Sequence, residues 1–230
     1  MTVVKAIEPS RPYQPRSTTT DLVNRLVRCA TGLGLFGAGI AMMLRANLGA
    51  SPWEMFHQGV SRRTGISVGS VIELTGFFIL LLWIPLRQRP GIGTLMNAIE
   101  IGLTVDLVSR VLPTSDRVVP RITMLVIGIL IIAIGSGLYI GAGLGPGPRD
   151  GLMMGLASRG LSVRLGRTLI EIAVGLIGLT LGSRPGVGTA LFTFGIGPLV
   201  QIFLPVLALP PRRPRSHYRT QNALEAASPI

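Results

Sequence analysis

The stretch Arg89-Pro90-Gly91-Ile92-Gly93-Thr94 returns 95 residues later as Arg184-Pro185-Gly186-Val187-Gly188-Thr189. Other short matches keep nearly the same distance: Ser67-Val68 recurs at 162–163, Ile101-Gly102 at 196–197, and Leu48-Gly49 at 144–145. Self-similarity at a fixed spacing is the sequence signature of a repeated structural unit. The chain is therefore predicted to contain two tandem repeats, the first over about 25–113 and the second over about 121–210.

The composition is that of a membrane protein. Of the 230 residues, 48% are hydrophobic and 14% are charged, and the mean hydropathy is +0.55, whereas about 25% of residues are charged in a typical soluble domain. The single cysteine, Cys29, excludes an internal disulfide and a multi-cysteine zinc site. The net charge of +12 comes from basic residues that separate apolar runs without a basic and aromatic platform, so nucleic-acid binding is not expected.

Six stretches between basic residues are candidates for crossing a bilayer, which takes about 20 apolar residues. They carry no charge or one or two acidic residues, and they lie at 29–44, 64–86, 90–109, 122–148, 168–183 and 185–211. We therefore predict an all-α polytopic membrane protein with about six transmembrane helices in a membrane domain over 23–211. Residues 1–22 are predicted to form a disordered tail and 212–230 a basic tail.

The positions of Lys and Arg predict the orientation of the chain. With six spans, 15 of the 22 basic residues fall on the side of the two termini. Because cytoplasmic loops carry an excess of Lys and Arg, both termini and both tails are expected to be cytoplasmic.

Each half also contains a short helical segment after its first long span. Ser51-Pro52-Trp53-Glu54 and Gly147-Pro148-Arg149-Asp150 each place a capping residue first, a proline next and an acidic residue in the first turn. Three interpretations stay open: a connector at the membrane interface, a re-entrant half-helix with its positive end pointing inward, or a full span. Six spans plus two short helices suit the lengths, whereas eight spans suit the basic residues slightly better.

The number of spans decides how the repeats are related. Three spans per half would place the second half upside down relative to the first, and four would make the two halves parallel. Inverted repeats recur in secondary transporters, where the binding site lies at the repeat interface near the midplane. The six-span interpretation therefore favours a transporter.

Several of these elements together resemble a known family. They are the Gly-x-x-Pro-Trp-acid pattern of 49–54, the run Gly-Pro-Gly-Pro-Arg-Asp-Gly-Leu-Met at 145–153, and the two Pro-Gly-x-Gly-Thr turns. Over about 25–210 the chain resembles the YczE/YitT-like family of bacterial integral membrane proteins, which has Asp where this chain has Glu54. The resemblance implies a multi-pass protein of the bacterial plasma (inner) membrane, and it implies no mechanism.

Ionisable groups at membrane depth are the main candidates for a substrate or ion site. An isolated charge at the bilayer centre costs roughly 2.5–3.5 kcal/mol, so such a residue is a functional candidate by default. Glu100 is the first candidate because it lies mid-helix, far from any basic neighbour in the sequence. The full candidate set is Trp53, Glu54, Glu73, Glu100, Arg149, Asp150 and Glu171.

The repeated turns and a glycine series supply further candidates. The turn glycines suit tight turns, and the turn arginines are candidate cations related by the repeat; this set is Arg89, Gly91, Gly93, Thr94, Arg184, Gly186, Gly188 and Thr189. Gly137, Gly141 and Gly145 are spaced four apart, which predicts a close approach between helices.

The predicted function is a small-molecule or ion permease with a pseudo-symmetric site between the halves. A non-transporting membrane scaffold or accessory subunit stays open as an alternative, and an intramembrane enzyme ranks last because no catalytic motif is present. No cofactor and no metal site are predicted, since His57 with Glu54 supplies too few ligands. The expected partners are the lipid bilayer and a small-molecule substrate, and a homo-oligomer is left open.

Overall fold

The computed structural model describes residues 18–210. Over that range the chain forms eight α-helices and no strand, which confirms the all-α prediction. The helices are α1 (Thr18–Ala46), α2 (Pro52–Thr64), α3 (Val68–Leu86), α4 (Ile92–Val111), α5 (Val118–Gly141), α6 (Pro148–Ala157), α7 (Val163–Thr180) and α8 (Val187–Leu207).

The lengths of the helices sort them into two classes. Helices α1, α3, α4, α5 and α8 are long and apolar enough to cross a membrane. Helix α7 has 18 residues but carries Arg164, Arg167 and Glu171, and this charge sets it apart from those five. Helices α2 and α6 have 13 and 10 residues, so at 1.5 Å per residue they are about 20 Å and 15 Å long. Neither reaches across ~30 Å of hydrocarbon.

Helix α1 begins earlier than the sequence predicted. Its first residue is Thr18, so the prediction of a disordered tail is wrong for 18–22. The reason lies in the first turn, where the Asp21 carboxylate accepts from the Arg25 guanidinium at 2.9 Å. An acidic residue near a helix N-terminus and an i,i+4 ion pair both stabilise the helix. The rest of that tail, and the predicted tail 212–230, lie outside the described residues.

Helices α1 and α5 pack against each other through glycines at the centre of the molecule. A Cβ added to Gly32 would lie 2.8 Å from the Gly135 carbonyl oxygen, and one added to Gly39 would lie 2.6 Å from that of Gly128. Both distances are too short for any side chain, so glycine permits the approach. Because 32 faces 135 while 39 faces 128, the two helices run antiparallel.

Two arginines tie the ends of these helices together. Arg25 in α1 donates to the Ala142 carbonyl oxygen at 2.9 Å, just after α5 ends. Arg121 in α5 donates to the Ala46 carbonyl oxygen at 2.8 Å, where α1 ends. The last carbonyls of a helix lack intrahelical partners, and basic side chains satisfy them favourably. Each central helix is therefore capped by the other.

The repeated turns cap α4 and α8 in the same way. The amide of Gly91 donates to Thr94 Oγ1 at 3.1 Å, and the amide of Gly186 donates to Thr189 Oγ1 at 3.1 Å. In each case the threonine side chain reaches back to the residue before the helix, as in a capping box. The repeated sequence thus encodes a repeated helix start.

Each repeated turn also docks on a loop from the other half. The Gly93 amide donates to the Leu144 carbonyl oxygen at 3.0 Å, and the Gly188 amide donates to the Leu48 carbonyl oxygen at 2.8 Å. The other predicted packing glycines are used between elements as well: Gly137 and Gly141 lie against α8, and Gly145 lies against the turn before α4.

The short helices start inside the bundle and run to its edge. Helix α2 packs along α7, with Gly178 of α7 against Met55 of α2 and Gly59 of α2 against Leu181, just after α7 ends. Helix α6 packs against the C-terminal end of α3, where Gly151 lies against the Trp83 ring. The first residues of both short helices line an internal cavity, and their last turns lead to the exposed segments 62–66 and 158–160.

Candidate functional site

A cavity of about 390 Å³ lies between the two halves of the chain. Its apolar wall comes from the long helices and includes Phe36, Ile101, Ile132 and Ile196. Its polar end is formed by the first turns of α2 and α6 together with α7. A concave site with an apolar wall and a few convergent polar groups is the usual form of a small-molecule site.

An arginine connects the starts of the two short helices. Arg149 Nη1 lies 3.5 Å from Glu54 Oε1, and the Arg149 guanidinium lies 4.4 Å from the centre of the Trp53 ring. The side chain of Glu54 is 6% exposed and that of Arg149 is 28% exposed. Stacking of a guanidinium on an indole ring is the preferred cation–π geometry. The pair joins the two halves at the polar end of the cavity.

Two further acidic residues complete that end. The Tyr139 hydroxyl donates to Asp150 Oδ2 at 3.0 Å, and the Arg167 guanidinium donates to Glu171 Oε1 at 2.8 Å. Each guanidinium in the cavity therefore has a carboxylate partner. Asp150 has no cationic partner there: it accepts from the neutral Tyr139 hydroxyl and lies in the first turn of α6. The arrangement presents both signs of charge to a ligand, with carboxylates in excess.

Burial shifts the protonation of two groups on α2. Burial raises the pKa of the Glu54 carboxyl, and the positive charge of Arg149 opposes that shift. Burial, with a smaller contribution from Arg149, lowers the pKa of His57 well below its ordinary value, so the ring is neutral. His57 is fully buried, and neither ring nitrogen has a hydrogen-bond partner among the described residues. Residues 18–210 contain no group of three His, Cys, Asp or Glu side chains arranged for a metal ion.

Most cavity-lining residues occur in pairs separated by 95 or 96 positions. Ten such pairs are present, and they take one member from each half of the chain. The pairs are Phe36 and Ile132, Ile40 and Ser136, Ser51 and Gly147, Pro52 and Pro148, Trp53 and Arg149, Glu54 and Asp150, Ile72 and Arg167, Gly76 and Glu171, Asn97 and Phe192, and Ile101 and Ile196. The wall of the cavity thus uses matching positions, with different side chains in eight of the ten pairs.

The structure brings some of the predicted site residues together and leaves others apart. Five of them line the cavity: Trp53, Glu54, Arg149, Asp150 and Glu171. Glu73 lies between α3 and α4 beside Gly102, and Glu100 faces α1 near Gly34, so neither lines it. Arg89 and Arg184 are exposed at the ends of the bundle.

Sequence reasoning missed several polar residues of the cavity. They are Asn97, Ser136, Tyr139, Arg167, Thr193 and Gln201. The spacing of 95 or 96 contained the signal for four of them, because Asn97, Ser136, Arg167 and Thr193 match cavity residues of the other half. Tyr139 and Gln201 have no such match in the cavity wall.

Comparison with known proteins shows that the chain is similar to uncharacterised bacterial proteins, one of which is a membrane protein. A family of unknown function, DUF6198, matches residues 23–205. An uncharacterised protein of Haemophilus influenzae is 38% identical over 183 residues, which cover 79% of this chain and 84% of that protein. The uncharacterised membrane protein YczE of Bacillus subtilis is 31% identical over 188 residues, which cover 80% and 87%. The predicted resemblance to YczE-like proteins is confirmed.

A third relative, the uncharacterised protein YyaS of Bacillus subtilis, is 26% identical over 183 residues, which cover 76% of this chain and 90% of that protein. No solved structure matches the chain. The relatives therefore establish a family of membrane proteins, and the chemistry of the site has to be argued from its geometry.

Proposed function

This chain belongs to the DUF6198 family, and on that premise we propose that it is a permease whose binding site is the central cavity. In this proposal the protein lies in the bacterial plasma membrane with both termini in the cytoplasm, and it carries a small charged solute. The observation that carries the proposal is that the cavity wall is built from matching positions of the two halves, with ionisable groups at the pair of short-helix starts.

Reciprocal contacts support the interpretation of the halves as inverted repeats. Adding 96 to Arg25 and Ala46 gives Arg121 and Ala142, and the structure contains both cross-contacts, Arg25 with Ala142 and Arg121 with Ala46. The glycine contacts between α1 and α5 show the same relation. Adding 96 to Gly32 and Gly39 gives Gly128 and Gly135, and the observed contacts are Gly32 with Gly135 and Gly39 with Gly128. Because these first helices of the two halves run antiparallel, the proposed relation is an inverted one, as in many secondary transporters.

The short helices provide the polar end that a permease of this kind needs. In inverted-repeat transporters, half-helices that start near the midplane present their positive ends to the substrate site. Here Pro52 and Pro148 open two helices that are too short to cross, and both starts line the cavity. Arg149, Asp150 and Glu171 would contact the solute, while Glu54 would hold Arg149 in place.

The scaffold alternative loses its main sequence argument. It depended on glycine stripes that would bind partner helices, and Gly137 and Gly141 are already occupied by α8 within the chain. We therefore retain the permease as the proposed function, without an enzymatic step.

Uptake into proteoliposomes, over a panel of charged metabolites and inorganic ions, tests the proposal. For a transported solute, Asp150→Asn and Glu171→Gln should each lower the initial rate at least tenfold. Glu73→Gln and Glu100→Gln should change it less than twofold, because these acids lie outside the cavity and act as matched controls. Loss of uptake in the controls with full activity in the cavity variants would overturn the proposed site. Absence of uptake across the whole panel in folded protein would overturn the permease.

A further inference from the structure

Each half of the chain contains a hairpin of two long helices, α3 with α4 in the first half and α7 with α8 in the second. The two hairpins differ in how closely their helices pack. Helices α3 and α4 are in close contact: a Cβ added to Gly69 would overlap the carbonyl oxygen of Gly102, and one added to Gly76 would lie 3.5 Å from Ala98. Within the described range, α7 and α8 barely touch. A Cβ added to Gly195 or Gly197 would meet no described atom within 4 Å.

The sequence accounts for this difference. Three of the four residues of the tight α3–α4 contact have larger counterparts 95 positions later, with Arg164 in place of Gly69, Glu171 in place of Gly76, and Thr193 in place of Ala98. The counterpart of Gly102 is again a glycine, Gly197. Small residues let two helices approach closely, and large ones hold them apart. The separation of α7 and α8 is therefore built into the chain.

A set of hydrogen bonds that connects the two helices of the first hairpin is also missing from the second. The Asp106 carboxylate in α4 accepts a hydrogen bond from the Gly69 amide at 2.8 Å and another from the Ser67 hydroxyl. These two bonds connect α4 to the start of α3. The counterpart of Ser67 is Ser162, at the start of α7, and the counterpart of Asp106 is Gln201. Gln201 is exposed, and its side chain makes no hydrogen bond to another described residue.

The gap between α7 and α8 leads into the cavity. Glu171 of α7 and Thr193, Gly197 and Gln201 of α8 line the cavity, and they lie at the positions that match the α3–α4 contact. The faces that flank the gap are strongly apolar on the outside, with Phe194 80% exposed and further exposed side chains at Leu169, Ile172 and Ile202. In a bilayer such faces contact lipid, so the gap opens sideways toward the hydrocarbon.

We propose that this gap is a lateral mouth, held open by Arg164, Glu171 and Thr193, through which a membrane amphiphile with a charged head group enters the cavity. The head group would meet Arg149, Asp150 and Glu171 at the polar end. The hydrocarbon body would lie along Ile196 and Val200 in the gap. Polar side chains exposed at membrane depth are costly unless they meet water or polar groups, and a head group in the mouth supplies those contacts to Thr193 and Gln201. The proposal takes from the proposed function only that the cavity is a binding site.

Cysteine labelling in proteoliposomes tests the mouth. In a Cys29→Ala background, which removes the one native thiol, Thr193→Cys should react with a lipid-soluble maleimide at least tenfold faster than Ala98→Cys. These two positions are counterparts, one exposed at the gap and the other 3% exposed in the sealed hairpin. Equal labelling of the two would overturn the mouth.

Photo-crosslinking with phosphatidylethanolamine and phosphatidylglycerol that carry a diazirine in the acyl chain identifies the occupant. Adducts on Ile196, Gly197 or Val200 would support entry of a lipid amphiphile, and adducts confined to outward residues such as Phe194 would overturn it. Gly197→Phe should plug the mouth without a clash, because the site of its Cβ is open, and it should abolish adducts at Ile196 and Val200. Adducts that persist there would contradict entry through the gap.

The result of the crosslinking experiment can be separated from the result of the solute-uptake experiment. Lipid adducts inside the cavity that survive while no solute is taken up would leave the mouth standing and overturn transport. Uptake that continues in Gly197→Phe, with lipid adducts never found inside, would leave the permease standing and overturn the lateral mouth.

Discussion

Glu54 is almost fully buried, and its cationic partner is Arg149 from the other half of the chain. Arg149→Ala would leave a carboxylate buried without a partner, and breaking a buried ion pair from one side costs about 3–5 kcal/mol. We expect a loss of free energy of unfolding toward the lower end of that range, since Arg149 is partly exposed. Denaturant titration in detergent measures it. The double variant Glu54→Gln/Arg149→Ala should recover most of the loss, and an equal loss in both would contradict the role of the ion pair.

The protonation of Glu54 leads to a pH prediction. Burial raises its pKa in the folded protein above the ordinary value of 4.5, so folding favours the protonated form. The sign follows from linkage: the stabilising contribution is fully present below the unfolded pKa and is lost as pH rises through the folded pKa. The free energy of unfolding should therefore fall across that interval in the wild type and fall less in Glu54→Gln. Thermal unfolding at a series of pH values in detergent tests this, and identical slopes would contradict it.

The acidic residues also show what the sequence could and could not predict at this scale. Glu73 and Glu100 are candidates on sequence alone because each lies inside an apolar span. Each is next to a cavity residue, Ile72 in one case and Ile101 in the other. Successive residues on an α-helix point about 100° apart, so one position decides whether a side chain meets the cavity. Helix α3 is apolar nearly all round, and α4 carries polar residues on several sides, so neither sequence indicates which face turns inward.

At the level of elements, the contact between α1 and α5 depends on glycine. Gly39→Ala would place a Cβ 2.6 Å from the Gly128 carbonyl oxygen, and overpacking of this kind costs typically 1–3 kcal/mol. Gly195→Ala in α8 is the matched control, because no described atom lies within 4 Å of its added Cβ. The control should be neutral or up to about 1 kcal/mol more stable, from the higher helix propensity of alanine. Thermal unfolding in detergent compares them, and equal effects would contradict the close-packed contact.

The repeated turns were predictable, but their partners were not. The Pro-Gly-x-Gly-Thr pattern indicated two equivalent turns, and the structure shows Thr94 and Thr189 capping the helices that follow. That Gly93 would bind the loop at Leu144, and not the loop of its own half, had no local signal. Such contacts join residues distant in the sequence, so local propensity carries no information about them.

For the whole molecule, the lengths of α2 and α6 separate the two topologies that the sequence left open. In six spans with two re-entrant helices, the turn at Arg89 and the turn at Arg184 face opposite sides of the membrane. If α2 and α6 crossed, both turns would face the same side. Both arginines are exposed, so a cysteine at either place is accessible without disturbing the packing.

The corresponding experiment uses Arg89→Cys and Arg184→Cys, each in the Cys29→Ala background, with a membrane-impermeant maleimide. With cytoplasmic termini, intact cells should label position 184 and not 89, and inside-out vesicles should label 89 and not 184. Labelling of both from the same side would mean that the short helices cross and the halves are parallel. That result would also contradict the antiparallel packing of α1 and α5, because in a chain of eight crossing helices these two would run in the same direction.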